Sequence, residues 1–383
     1  MKLYGTPGSL YTAKVRSYFL KQGIAFEARA FGEPRFVKMI VPRLGRAIIP
    51  VVELPDGQLL QDGSDIIEWF EAHAAPRWPA RVDTPRQRLV GHIFELFGGE
   101  GLLRPAMHYR WNFDAANRAF LCHDFAAALV PGAPADVGEA RFEAAERHMR
   151  RAMAGFGVGP QSIPQIEASY WEFLNLFEAH LAHAPYLLGG RPTLGDYGLI
   201  APLHAHLGRD PFPSSLMKQQ APKVWRWVER MQSPALDAGD YGSPGPELFP
   251  DDGVPETLQA LMRFIARDYL PEVEAFVSYS NAWLAARPEL AEGVNGLERP
   301  GDRVIGRARF AWRGVEIEVA VMPYRLYLLQ KVQDAARVDS GGDLAALLQA
   351  TELSKILTLT TTRRVERREF LEVWGPAPPE TRP

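Results

Sequence analysis

The chain has 383 residues, long enough for two or three domains at roughly 150 residues each. Apolar residues make up 46% and charged residues 23%, an ordinary globular composition that excludes global disorder. With 43 basic against 46 acidic residues the net charge is −3, so nothing neutralises a phosphate backbone in bulk and no nucleic-acid partner is expected.

The N-terminus, Met1 to Gly5, lacks the apolar stretch of a signal peptide. No apolar run approaches the ~20 residues needed to span a bilayer, so the expectation is a cytoplasmic protein with no membrane partner. Lys2-Leu3-Tyr4 begins a short strand, and Gly5-Thr6-Pro7-Gly8-Ser9 is loop chemistry. Residues 12–22 read as a helix, with Val15, Phe19 and Leu20 on one face and Gly23 as the stop. Ile24 to Ala28 alternates as a second strand. Residues 34–44 are a weak helix interrupted by Pro34 and Pro42. In the β-branched run Ile48 to Leu54, Pro50 belongs at a strand start, because proline has no N–H for a ladder. Pro55-Asp56-Gly57 is a turn, and Gln58 to Gln61 returns as its hairpin partner. Ser64 then opens a helix through Phe70, with Asp65 and Glu68 near its positive end. The order is β-α-β-α-β-β-α.

This arrangement resembles the thioredoxin-like N-terminal domain of cytosolic glutathione S-transferases, of the bacterial, serine type. The resembling residues are Leu3-Tyr4-Gly5 through Lys14-Val15-Arg16, then Ile49-Pro50-Val51-Val52, then Gln61 to Ile67. The resemblance implies glutathione as co-substrate, a cis Ile49–Pro50 bond whose neighbouring backbone pairs with the cysteinyl unit, and a γ-glutamyl site in the loop before the last helix. There the family's acidic residue followed by Ser or Thr reads Asp62-Gly63, with Ser64 one place later. The stretch from Pro42 to Pro50 is also longer than the family's. Arg43 and Arg46 are both candidates for the glycyl carboxylate.

The chemistry needs a thiolate, and a free thiol with a pKa of ~8.5 is mostly protonated at neutral pH. A helix N-terminus presents unpaired N–H groups and partial positive charge, and a hydroxyl donated to the sulfur lowers its pKa further. Aligned on Lys14-Val15-Arg16, Ser9 falls where relatives carry their catalytic Ser or Cys, so Ser9 is the first candidate. Tyr11 is the second, with Tyr4 also open. Thr12 stands where glutaredoxin-like relatives carry a second Cys. The competing reading of Ser9 is a helix N-cap and nothing more.

Residues 75–85 are proline-rich and read as a linker. Leu89, Ile93, Phe94 and Phe97 mark a helix over 87–97, with Gly98, Gly99 and Gly101 as interruptions. The segment Arg104 to Phe113 is dense in aromatic and cationic groups. By resemblance, His108, Tyr109, Arg110 and Trp111 line the electrophile pocket; the alternative is that they are core. Cys122 is the sole cysteine, which excludes an intrachain disulfide, a CxxC centre and a multi-cysteine zinc site; no metal is expected. Residues 166–181 are an amphipathic helix. Thr193-x-x-Asp196 is a capping box before an apolar run, a structural device. Lys223 to Met231 closes the region, and the resemblance covers about 1–240.

Residues 238–255 read as a second linker. Beyond it, residues 257–267 and 273–284 look helical. Val304 to Trp312 and Val315 to Val321 form a hairpin around Arg313-Gly314. Residues 324–336 and 344–353 are helical, and 357–362 and 370–374 are strands. Arg363 to Glu369 is mixed in sign and reads as a solvated face.

The expected fold class is α/β plus all-α: a thioredoxin-like domain over 1–75, a helical substrate-pocket domain over 85–240, and an α+β region of unassigned role over 254–383. Three functions compete. The first is a homodimeric transferase in which glutathione thiolate attacks a small hydrophobic electrophile. The second is a non-catalytic binding or assembly protein. The third is a glutathione-dependent isomerase, dehalogenase or ether-cleaving enzyme.

Overall fold

The computed structural model of the protein describes residues 1–337 and 342–377. Its first part runs β1 (Lys2–Gly5), α1 (Leu10–Gln22), β2 (Glu27–Ala30), α2 (Val41–Leu44), β3 (Val51–Glu53), β4 (Leu59–Gln61) and α3 (Gly63–His73). The strands form one sheet in the order β2-β1-β3-β4; β1 is parallel to β2 and antiparallel to β3. Helix α1 stops at Gly23, which takes φ 68, a left-handed turn that glycine adopts without steric cost. Strand β2 begins only at Glu27, where its pairing with β1 starts at Lys2; Phe26, read as strand, packs against Phe19 with ring centroids 5.5 Å apart. The weak helix before β3 is a π-turn, Phe36–Ile40, followed by α2.

The register fixes where ligands can approach. Tyr4 pairs with Val51, and Val51 pairs with Gln61. The loop from Gly5 to Ser9, the Ile49–Pro50 dipeptide and the Asp62–Ser64 loop therefore all leave the sheet at the same end. The Ile49–Pro50 bond is cis.

The helical part comprises α4 (Pro85–Leu96), α5 (Leu103–Trp111), α6 (Asp114–Leu129), α7 (Ala135–Ala152), α8 (Ile163–His180), α9 (Leu194–Ala205), α10 (Pro211–Gln220) and α11 (Pro222–Met231). Helix α9 is buried almost along its length and packs on both α1 and α4. The glycines read as interruptions after α4 sit in a π-turn, Phe97–Gly101; Gly98 and Gly101 serve close packing, and a Cβ on Gly98 would come within 2.4 Å of the Gly198 carbonyl carbon. The capping box at Thr193 and Asp196 forms as read.

The third part comprises α12 (Glu256–Asp268), α13 (Leu270–Ala285), β5 (Gly306–Trp312), β6 (Val315–Val321), α14 (Pro323–Arg337), α15 (Gly342–Ala350), β7 (Val365–Arg368) and β8 (Leu371–Trp374). The β5–β6 hairpin turns on Arg313 and Gly314, both at positive φ as a two-residue turn requires. Two expectations fail here. The strand expected over 357–362 is absent: a 3₁₀ turn spans Ser354–Leu357, and the next strand starts at Val365. The charged run expected on a solvated face is strand β7 for half its length, and the Arg367 side chain is only 7% exposed. Alternation explains it: Val365 and Arg367 face inward while Arg368 stays out. The third part shares one apolar core with the rest; α14 lies on α4, and α12 on α8.

Candidate functional site

Ser9 is the N-cap of α1, with extended backbone and its Oγ accepting from the Thr12 N–H at 3.4 Å. The loop before it is held from the helical part. Arg110, buried against Asp210 at 2.7 Å, donates to the Gly8 carbonyl at 2.9 Å and to the Ala205 carbonyl at 2.8 Å. Arg110 was expected in a pocket; it fixes the α1 N-terminus instead.

The hydroxyl candidates separate by where their protons go. Tyr4 donates to Glu53 at 3.0 Å. Tyr11 donates to Glu100 at 2.8 Å, and burial together with that carboxylate raises its phenol well above the usual range. Thr12 Oγ1 is buried without a partner, at the place where Gly5 lacks a side chain. Ser9 alone of the four is a partly exposed residue whose hydroxyl proton is committed to no acceptor among the described residues.

The polar side chains of the loop before α3 are engaged within the protein. Asp62 adopts φ 84 and caps α3, accepting from the Ser64 N–H at 2.9 Å and the Asp65 N–H at 3.4 Å. Ser64 donates its hydroxyl to Glu95 at 2.6 Å and accepts from Lys14 at 2.8 Å. Lys14 and Glu95 are themselves a buried ion pair. Burial pushes the Glu95 carboxyl up, but Lys14 and His92 outweigh it and hold it well below the carboxylate range. Gly63 permits the close approach of this loop to α1: a Cβ there would lie 3.3 Å from Lys14 Cδ and 3.5 Å from the Tyr11 carbonyl. Asp62, Gly63 and Ser64 thus fasten α3 to α1, and the acid facing outward is Asp65. It accepts from Arg367 Nε at 2.7 Å and from the Tyr327 hydroxyl at 2.8 Å, with Lys331 Nζ at 3.6 Å.

Of the two basic candidates, Arg43 is exposed and Arg46 is at the site. The Arg46 guanidinium forks onto Glu372 at 2.6 and 2.9 Å and donates to the Phe370 carbonyl at 2.9 Å. Glu372 also takes Arg367 at 2.7 Å and Arg303 at 3.5 Å. Burial pushes the Glu372 carboxyl up, but the Arg46 hydrogen bonds and the charges of Arg303, Arg46 and Arg367 bring it down to about 2. Ile49 lies beside this cluster, partly buried in a small apolar group with Phe370. Arg367 and Glu372 lie some three hundred residues from Asp65 and Arg46, which they touch, and nothing local in the sequence marks them.

Behind Tyr11 an ionic chain links the three parts. Glu100 accepts from Arg325 at 2.9 Å, Arg325 donates to Glu272 at 3.0 Å, and Glu272 accepts from Arg104 at 2.5 Å. The expected pocket residues are in the helical core. His108 lies between Glu167 at 3.1 Å and Asn112 at 2.8 Å, Tyr109 stacks on Phe113 with centroids 5.5 Å apart, and Trp111 is fully buried beneath Arg150.

Two family models match. The glutathione S-transferase N-terminal domain model matches residues 3–78, and the C-terminal domain model matches residues 160–230. Those two stretches carry the domains of the glutathione S-transferase superfamily. Its residues beyond 230 lie outside both matches. Solved structures similar to this chain include a glutathione S-transferase from Xanthobacter autotrophicus Py2, at 20% identity over 60% of this chain and 91% of that one, TM-score 0.35. A second, from Methylobacterium radiotolerans in complex with glutathione sulfonate, has 19% identity over 65% and 97%, TM-score 0.37. A third is the β-etherase LigF from Sphingobium sp. strain SYK-6, with 17% identity over 63% and 99%, TM-score 0.41.

Proposed function

We propose that this chain binds glutathione at the end of the sheet where the α1 N-terminus, Ile49–Pro50 and the loop before α3 converge, and holds its sulfur there as the thiolate. The observation that carries the reading is the free hydroxyl of Ser9 at the start of α1, beside helix N–H groups that favour an anion. The sulfur accepts the Ser9 proton in a hydrogen bond, and its own proton leaves to solvent. The activity this supports best is transfer: the thiolate forms a carbon–sulfur bond to a hydrophobic electrophile, and any leaving group departs with its electron pair. In this reading residues 1–75 bind glutathione, 85–240 shape the other side of the cleft, and the protein works in the cytoplasm as a homodimer. Arg46 and Asp65 supply opposite charges for the two ends of the tripeptide.

The test is the thiolate absorbance of the glutathione complex against pH, for the wild type and Ser9→Ala. The reading expects an upward shift in the mutant, and identical curves sink it. A second reading, binding without turnover, is favoured by one observation: side chains of the third part already sit on Arg46 and Asp65. An electrophile panel that yields no conjugate while glutathione binds decides for it.

A further inference from the structure

Strands β7 and β8 form a hairpin whose two-residue tip, Glu369 and Phe370, has both residues at positive φ. Its open end is anchored in the third part. Gln330 and Val365 exchange two hydrogen bonds at 2.7 and 2.8 Å, and Trp374 bridges to Val294 and stacks on Trp283. Its tip lies against the first part. Phe370 enters the apolar group of Tyr4, Phe36, Leu44 and Ile49, and Leu371 reaches Gly45.

Between anchor and tip the hairpin carries one cation and one anion directly opposite each other, Arg367 and Glu372, joined at 2.7 Å. Each also engages the first part. The Arg367 guanidinium donates to Asp65 and to Gln61. The Glu372 carboxylate takes the Arg46 fork. A γ-glutamyl tripeptide offers the same chemistry at its two ends, an ammonium and a carboxylate.

We propose that the β7–β8 hairpin is an internal occupant of the glutathione site, with Arg367 standing where the tripeptide's ammonium would meet Asp65 and Gln61, and Glu372 standing where its glycyl carboxylate would meet Arg46. The proposal rests on the reading of that site as glutathione's. Ligand and hairpin compete for the same side chains, so glutathione binds only when the tip withdraws, and the apparent affinity is reduced by the fraction of molecules that are open. Opening needs no unfolding of the first part, because the hairpin's anchors lie in the third part.

Calorimetric titration of glutathione into the full chain tests this with Glu372→Gln and Arg367→Gln. Hydrogen exchange of amides 365–374 is followed with and without saturating glutathione. Both variants should bind about tenfold or more tightly than the wild type, and glutathione should lower hairpin protection in the wild type. Adding Arg46→Ala to Glu372→Gln should cancel the gain; a gain that survives overturns the proposal. Equal affinities with unchanged protection also overturn it and leave the glutathione reading standing. No binding by any variant at millimolar glutathione removes the glutathione reading and the plug together. Should Glu372→Gln fail to fold, Arg367→Gln and Phe370→Ala at the tip carry the same comparison.

Discussion

Replacing Glu372 by glutamine keeps the side-chain shape and removes the negative charge that Arg46, Arg303 and Arg367 share. The carboxyl is 5% exposed, so solvent screens it little. Its pKa falls from 4.5 to about 2 in the folded chain. At about 1.36 kcal/mol per unit, those two and a half units correspond to roughly 3 kcal/mol favouring the ionised folded state. The sign follows from the depressed value. The contribution is complete above the unfolded pKa of 4.5 and is lost as pH falls toward 2. Glutamine mimics the protonated form, so the difference between wild type and mutant should be about 3 kcal/mol at pH 7 and should close on acidification. Hydrogen exchange at the hairpin amides reads this local opening, and urea unfolding reads whether it reaches the global transition. A difference below about 1 kcal/mol at pH 7, or one that stays constant down to pH 3, would refute the claim that the arginine cluster docks the hairpin through that charge.

Ser9→Ala should raise the pKa of bound glutathione by roughly one to two units, the equivalent of one hydrogen bond to a charged group, read from thiolate absorbance. Tyr11→Phe should leave that curve in place, since Tyr11 donates to Glu100; it should instead lower stability in urea by about 1.5–3 kcal/mol, because Glu100 loses a donor. Asp196→Ala removes the acceptor for the Thr193 and Leu187 N–H groups at 2.8 and 3.0 Å and should cost about 3 kcal/mol or more in chemical unfolding, with no change in glutathione affinity beyond that. Light scattering at micromolar concentration is expected to give a dimer; a monomeric mass would contradict the homodimer reading.

Much of the first part, and one helix start of the helical part, was legible because the signals are local. Gly23 ends α1, Pro50 precedes β3, the turn at Gly57 makes the hairpin, and Thr193 with Asp196 caps α9. Each depends on a residue type acting within a few positions of itself. The candidate site was legible only at its loops. Ser64 was read as a ligand group because its place in the chain resembles the family's, yet Lys14 and Glu95 consume its hydroxyl. His108, Tyr109 and Trp111 were ambiguous because an aromatic on a helix has the same sequence signature whether it meets a cleft or a core. The run from Arg363 to Glu369 misled because alternating charge looks solvated until a distant carboxylate, here Asp65, is brought against it. No periodicity records that partner.

The ionic chain through Tyr11, Glu100, Arg325, Glu272 and Arg104 has a consequence for how this chain can be divided. Arg325 belongs to the third part, and Glu100 is almost completely buried. A fragment ending before residue 254 would keep the carboxylate and lose its cation, and would bare the face of α4 that α14 covers. Breaking a buried pair by removing one partner commonly costs about 3–5 kcal/mol, a large share of a domain's net stability. The region outside the two family matches is therefore not detachable cargo. The transferase fold and its extension share one apolar core, and trimming the chain to its recognisable domains is expected to give a product that aggregates.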